Sequence, residues 1–311
     1  MNVEIISDAA KLESLAPEWL ELWRDSPNAT PFQSPMWLLP WWRHFGSNDL
    51  HTIVIRNSGK LAALAPLYII REDSESLGLF IGTGISDYLD AIGEAPFIEY
   101  IARADCQLWD FQQLRASSPI LNGPLPEGWS ENIEDQDPCL VLPLAQLSLS
   151  AHSQKKLRYY RRRLEPVTIE EANAGNLDAM LQALFDLHAA RWEKRGMPGM
   201  LADDVIQQFH REVAKAMLDA GALRMYALRS GDRVVAVFYG FADASAVYYY
   251  LSGYDPELEK LSPGTLIVAH AVESAVRDGA TTFDFLRGAE EYKSSWGAKP
   301  RMNRKRQLIK V

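Results

Sequence analysis

The chain has 311 residues, 47% of them apolar and 23% charged, with a formal net charge of −9. A length beyond the roughly 250–300 residues at which one core stops growing predicts two domains, and a composition near the globular average excludes disorder and a coiled coil. The acidic balance argues against wholesale nucleic-acid binding, though it leaves room for a local basic site.

The sequence has no run of about 18 apolar residues, so no helix is expected to span a membrane. The opening MNVEIISDAAKLESL lacks the basic and apolar regions of a signal peptide. Only Cys106 and Cys139 are present, too few for a disulfide framework. A cytoplasmic protein is the expectation.

Taken in order, Val3–Ile6 reads as a strand. Leu12, Leu15, Trp19, Leu22 and Trp23 then recur at helical spacing. Ser34-Pro35 has the form of an N-cap and a helix-starting proline, opening the aromatic helix Met36–Phe45, which Gly46-Ser-Asn closes. Leu50–Arg56, a turn at Asn57-Ser-Gly-Lys60 and Leu61–Ile70 predict a hairpin, with Pro66 at a bulge or an edge. A glycine-rich stretch, Ile81–Asp90, follows. Residues 94–115 are expected to be helical, and 116–150 to form short strands and proline turns.

The second half opens on HSQKKLRYYRRR, residues 152–163, with six Lys and Arg side chains. Leu157, Tyr160 and Leu164 share one helical face and Lys155, Arg158 and Arg162 another, which predicts an amphipathic basic helix. A solvated charged face and a phosphate-binding surface are both open readings of it. Helices over Leu177–Lys194 and Asp203–Asp219 precede a second hairpin, Leu223–Ser230 and Val234–Ala242. A tyrosine-rich strand, Ala246–Ser252, a loop, a helix from Thr265 to about Asp278 stopped by Gly279, and a strand Thr282–Leu286 come next. Gln307–Val311 can form a final strand.

The two hairpins match. Arg56-Asn-Ser-Gly-Lys-Leu-Ala-Ala-Leu aligns with Arg229-Ser-Gly-Asp-Arg-Val-Val-Ala-Val after a one-residue slip, and a long helix and a short break precede each. This predicts an internal duplication, with domains over 1–150 and 151–311.

Several chemistries have no signature. HExxH, paired CxxC, GxxxxGK[ST] and GxSxG are absent, and the six histidines (44, 51, 152, 188, 210, 270) are scattered, so no metal site is expected. Ser262-Pro263-Gly264-Thr265 at a helix start is more informative: proline presets the helix, glycine admits close approach, and the free N–H groups form an anion site. An ordinary helix cap is its bland alternative. After the next strand, Asp284 and Leu286 face one way and Phe283, Phe285 and Arg287 the other. The charged run Arg287–Lys293 suits a site mouth or a solvated strand exit. Tyr248, Tyr249, Tyr250 and Tyr254 are best assigned to packing.

The order of these elements resembles the GNAT acyltransferase fold. Over roughly residues 30–300 the chain is similar to the two-repeat, cellulose-biosynthesis-associated GNAT-like acetyltransferases, relatives of the Fem-type peptidyltransferases. The carriers are Ser34-Pro-Met-Trp-Leu-Leu-Pro-Trp-Trp, Ala65-Pro66-Leu67, Ser86-Asp87-Tyr88-Leu89-Asp90, Lys155-Lys-Leu-Arg158, His188-Ala-Ala-Arg191-Trp192, Ser262-Pro-Gly264-Thr265, and Asp284 through Gly288, Tyr292, Lys293 and Trp296. The loop Glu259-Lys-Leu-Ser262-Pro-Gly264 keeps only the last glycine of the Gln/Arg-x-x-Gly-x-Gly/Ala pattern usual in GNAT proteins.

The resemblance implies an α/β fold with mixed sheets: tandem GNAT-like repeats, each a central, mostly antiparallel sheet flanked by helices. It implies an N-acyltransferase in which an amine attacks the thioester of acetyl-CoA or a longer acyl-CoA, without a metal. The expected acceptor is a small-molecule, sugar or lipid amine of the cell envelope. Ser262, Gly264 and Thr265 would hold the donor's pyrophosphate. Glu290 is the preferred base with His188 behind it, and Tyr292 and Lys293 complete the catalytic set. Asp284, Arg287 and Trp296, with Asp87 and Tyr88 from the first repeat, would line the acceptor side. The alternatives are an aminoacyl-tRNA-dependent transferase, which the basic helix would serve, and a binding protein without catalysis.

Overall fold

The computed structural model describes residues 2–147, 151–164, 166–194 and 196–311. Two units emerge, Met1–Cys139 with Arg301–Val311, and Leu140–Pro300. The division expected near residue 150 falls at 148–150, outside the described residues, and the last strand packs with the first unit.

In the first unit, β1 (Asn2–Ile6) leads to α1 (Ala9–Ser14), α2 (Ala16–Asp25) and α3 (Pro35–Phe45). Then come β2 (Asp49–Leu50), β3 (Thr52–Asn57), β4 (Lys60–Ala65), β5 (Leu67–Glu72) and β6 (Glu75–Phe80). The expected strand Leu61–Ile70 is cut by Pro66: β4 pairs with β3 in a three-stranded β1-β3-β4 sheet, while β5 joins a second sheet beside β2 and β6. Proline lacks the N–H that one continuous ladder would need.

Residues 94–115 depart from the expected helix. Only α4 (Phe97–Ile101) is helical, and Leu108–Leu114 is a strand, β7. Trp109, Phe111 and Gln113 are buried in alternation, the two-residue period of a half-buried strand. Beyond α5 (Pro119–Asn122), the expected short strands are one long strand, β8 (Trp129–Pro143). The final strand also starts earlier than expected, at Lys299, and pairs antiparallel with β7 from Arg304 to Ile309.

The second unit begins with the end of β8, whose Leu140 and Leu142 enter its core. The basic segment is α6 (Ala151–Leu164), followed by β9 (Val167–Glu171), α7 (Leu177–Glu193) and α8 (Asp204–Asp219). β10 (Leu223–Ser230), β11 (Arg233–Ala242), β12 (Ala246–Tyr254), α9 (Pro263–Arg277), β13 (Thr282–Arg287) and α10 (Glu291–Ser294) complete it. We number the final strand, Lys299–Lys310, β14. The strand order is β13-β12-β11-β10-β9, antiparallel except for β12 with β13. As the pattern predicted, Leu157, Tyr160 and Leu164 of α6 pack on the core while Lys155, Arg158 and Arg162 are exposed.

The duplication is visible in both units. β1 pairs with β3 and β3 with β4, as β9 pairs with β10 and β10 with β11, all antiparallel. Each hairpin shifts register just before its arginine, at Ile55/Arg56 and at Leu228/Arg229.

Candidate active site

In the second unit the parallel ladder of β12 and β13 covers Ala246↔Thr282, Val247↔Phe283 and Tyr248↔Asp284 and stops there, although both strands run on. Side chains of β13 and α10 account for the end. Leu286 has a left-handed backbone (φ 60), and its N–H donates to Asp284 Oδ1 at 2.8 Å. The Lys293 ammonium donates to the carbonyls of Leu286, Arg287 and Gly288 at 3.4, 2.6 and 3.3 Å and pairs with the Glu290 carboxylate at 2.8 Å. The Leu286 N–H and the carbonyls of Leu286, Arg287 and Gly288 are thus satisfied by side chains and not by β12.

β12 carries a second irregularity opposite β11. Tyr239 pairs with Leu251 and Gly240 with Tyr249, leaving Tyr250 as an extra residue. Such a bulge bends a strand and redirects its side chains. Further along, Gly253 lies against α7: a Cβ there would come within 2.8 Å of Leu187 Cβ and 3.0 Å of the Leu184 carbonyl. This close approach brings α7 to the end of β12, where the Arg191 guanidinium sits 5.0 Å over the Tyr254 ring.

The start of α9 meets the same tyrosine. A Cβ on Gly264 would be 3.1 Å from the Tyr254 ring, so glycine seats the helix N-terminus against it. Ser262 has a left-handed backbone (φ 50) and makes no side-chain cap, Pro263 has no N–H, and Thr265 is exposed. An uncapped terminus of a 15-residue helix carries partial positive charge. Arg191 adds a full charge, and its Nε is buried with no hydrogen-bond partner among the described residues. These groups make this end of the unit locally positive.

Next to the ladder gap, the hydroxyls of Ser252 and Tyr249 are hydrogen-bonded, and that of Tyr249 also bonds with Tyr292. Burial pushes both tyrosines above their ordinary value; the neighbouring Tyr249 and Glu290 raise Tyr292 further. Both therefore stay protonated through the neutral range. Glu290 is exposed, and Gly288, at φ 104, leaves the space its carboxylate occupies.

Some expected site residues have other work. His188 is buried; its Nε2 accepts a bond from Trp192 Nε1 at 2.9 Å, and burial followed by the Arg191 charge lowers its pKa to about 4. Its basic nitrogen is occupied. Asp284 is fully buried and shapes the strand exit, Lys293 is equally enclosed, and Trp296 packs partly buried on the core. Asp87 and Tyr88 are buried in the first unit, where the Tyr88 hydroxyl accepts from Arg301 at 2.6 Å. Arg287 is half-buried at the end of β13.

The sequence reading did not single out Arg191, Tyr249, Ser252 or Tyr254 for the site. The available signal was helical: Arg191 lies three residues after His188, one turn along α7.

Residues 151–294 match the acetyltransferase (GNAT) domain family. Among solved structures, FemX superimposes with a TM-score of 0.66 at 12% identity, covering 98% of this chain and 97% of its own. L-PGS from Bacillus licheniformis gives 0.59 at 14% identity, covering 98% of this chain and 92% of its own. The C-terminal DUF2156 domain of a putative lysylphosphatidylglycerol synthetase from Agrobacterium fabrum gives 0.57 at 13% identity, with coverage of 98% and 93%. No curated protein matches the sequence significantly.

The ladder gap, the strand bulge and the open helix terminus thus lie within an acyltransferase domain. Residues 151–294 thus match the GNAT domain family, and the chain as a whole has a GNAT-like, two-repeat, Fem-related fold.

Proposed function

We propose that the second unit transfers the acyl group of acetyl-CoA or a longer acyl-CoA to an amine of a cell-envelope sugar, lipid or related metabolite. The observation that carries this reading is the α9 N-terminus, uncapped and seated by Gly264 on Tyr254 beneath Arg191. A helix N-terminus and a guanidinium that meet the same tyrosine suit a pyrophosphate. When bound, the donor supplies a thioester, and the gap between β12 and β13 offers a channel for its arm.

Glu290, exposed and held by Lys293, accepts the proton of the attacking amine. Tyr292, kept protonated, donates a hydrogen bond to the departing thiolate, which takes its proton from solvent. Arg191 and the Gly264 N–H orient the donor, with the exposed Thr265 side chain beside them, and Ser262 sets the helix start. Arg287 lines the acceptor side. The C-terminal domain of a putative lysylphosphatidylglycerol synthetase among the structural neighbours supports a lipid headgroup as the acceptor class.

Calorimetry with acetyl-CoA and longer acyl-CoAs tests the donor. Binding is expected for at least one, and Arg191→Gln is expected to weaken it about tenfold through loss of a charge-assisted contact. Absence of binding near millimolar concentration overturns the reading, and binding of aminoacyl-tRNA instead moves the donor to that class. Tyr292→Phe is expected to lower kcat tenfold or more with the donor KM unchanged, about the contribution of one hydrogen bond to the departing group.

A further inference from the structure

The outer face of α6 takes no part in the site described above. Lys155, Lys156, Arg158, Arg161, Arg162 and Arg163 are all exposed there, and the helix contains no acidic residue. Yet the chain as a whole carries a net charge of −9. The apolar side of the helix is already spent, since Leu157, Tyr160 and Leu164 pack on the core of the second unit. At 3.6 residues per turn, Lys155, Tyr159 and Arg162 point directly away from that core. Lys155, Arg158 and Arg162 have no carboxylate within ion-pair distance among the described residues. A basic stripe of this kind, unpaired on an acidic body, calls for an anionic partner.

We propose that α6 is a docking surface for an anionic phospholipid bilayer. The aromatic at its centre distinguishes this partner from RNA. The Arg163 guanidinium lies 5.7 Å over the Tyr159 ring and donates to its hydroxyl at 2.8 Å, so one ring face and the polar tip are engaged within the helix. Tyr160 is half-buried beneath Lys156. Recognition of unpaired bases uses open aromatic faces for stacking. What α6 presents instead is charge along a straight rod of 14 residues, with a phenol among the cations. Mobile headgroups adjust to such an array, and tyrosine sits well at their level.

With its apolar side buried in the protein, the helix lies on the bilayer without inserting, so attachment is reversible and salt-sensitive. The acidic remainder of the surface is repelled by the same lipids, and the second unit therefore meets the membrane by this face alone. The inference does not depend on the donor used at the active site.

The test is co-sedimentation of the full chain with vesicles of pure phosphatidylcholine and of phosphatidylcholine mixed equally with phosphatidylglycerol. Binding is expected only with phosphatidylglycerol and is expected to fall steeply between about 0.05 and about 0.5 M salt. The triple variant Lys155→Gln, Arg158→Gln, Arg162→Gln is expected to bind roughly a hundredfold more weakly, at about fivefold per cation, with unchanged thermal unfolding. The salt titration of the unaltered chain tests the proposal even where the variant misfolds. No phosphatidylglycerol-dependent sedimentation at low salt overturns it. So does wild-type affinity in a folded triple variant, or tRNA that binds α6 and displaces the vesicles.

Discussion

Arg56 and Arg229 hold the same position in two hairpins of one chain and make the same bonds. Each follows a register shift, and each donates to the carbonyl three residues on, Gly59 at 3.1 Å and Asp232 at 3.0 Å. Each also pairs with a glutamate, Glu18 at 2.5 Å and Glu170 at 2.9 Å. The arginine closes the turn that its own strand's bulge opens.

Arg229→Ala is therefore expected to cost about 1 kcal/mol, one turn hydrogen bond plus a partly screened surface pair. Faster amide exchange confined to the β10–β11 turn would locate the loss. Hydrogen bonds from Arg56 and Arg229, and for Glu170 first from Asn176, hold Glu18 and Glu170 below the ordinary carboxylate value. Their contribution is present above that ordinary value and disappears as pH falls through the lowered one.

Asp90 should respond in the opposite sense. Burial pushes it up to about 7, against opposing bonds from Ser118 and Ala91 and the charge of Arg115. Its contribution is full below the ordinary 3.8 and is lost as pH rises through about 7. Asp90→Asn retains an acceptor for Ser118 and is expected to stabilise the protein by on the order of 2 kcal/mol at pH 8, and to change little at pH 4. Urea unfolding at the two pH values checks this.

The buried histidines give an acid-side signal. His188 is lowered to about 4 and His210 to about 3, in both chiefly by burial. The neutral rings favour the fold above the ordinary value of 6.5, and stability drains away as pH falls from there toward about 4. His210→Phe is expected to flatten the slope of stability against pH in that window by on the order of 1 kcal/mol per pH unit. An unchanged slope would mean that these rings do not govern it.

Lys293→Met is expected to cost about 3 kcal/mol, because three carbonyls lose their donor and Glu290 its counter-charge. Lys293→Arg is not expected to rescue it: a planar fork cannot converge on three successive carbonyls as an ammonium does. Equilibrium unfolding of both variants decides the matter.

Much of this architecture is legible locally. The turn glycines, the single apolar face of α6 formed by Leu157, Tyr160 and Leu164, and the Ser262-Pro-Gly start of α9 each follow from spacing within a dozen residues. Residues 94–115 show the limit: Leu108–Leu114 mixes Gln and Asp with Trp and Phe, and its ladders with β6 and β14 select the strand period. At the site the same limit applies. Nothing within Asp284–Lys293 indicates that Asp284 and Lys293 face inward to bond their own backbone, or that of the four charged candidates there, Asp284, Arg287, Glu290 and Lys293, Glu290 alone is exposed.

By itself the sequence determined most of the elements, the repeated hairpin with its arginine, the basic helix and the Ser262-Pro-Gly helix start, because propensity, period and turn chemistry are short-range. Only the tertiary structure decided where the β12–β13 ladder ends and that Arg191 reaches Tyr254. Those outcomes depend on Gly253 letting α7 close on β12 and on a buried ammonium satisfying β13, contacts made between residues far apart in the chain.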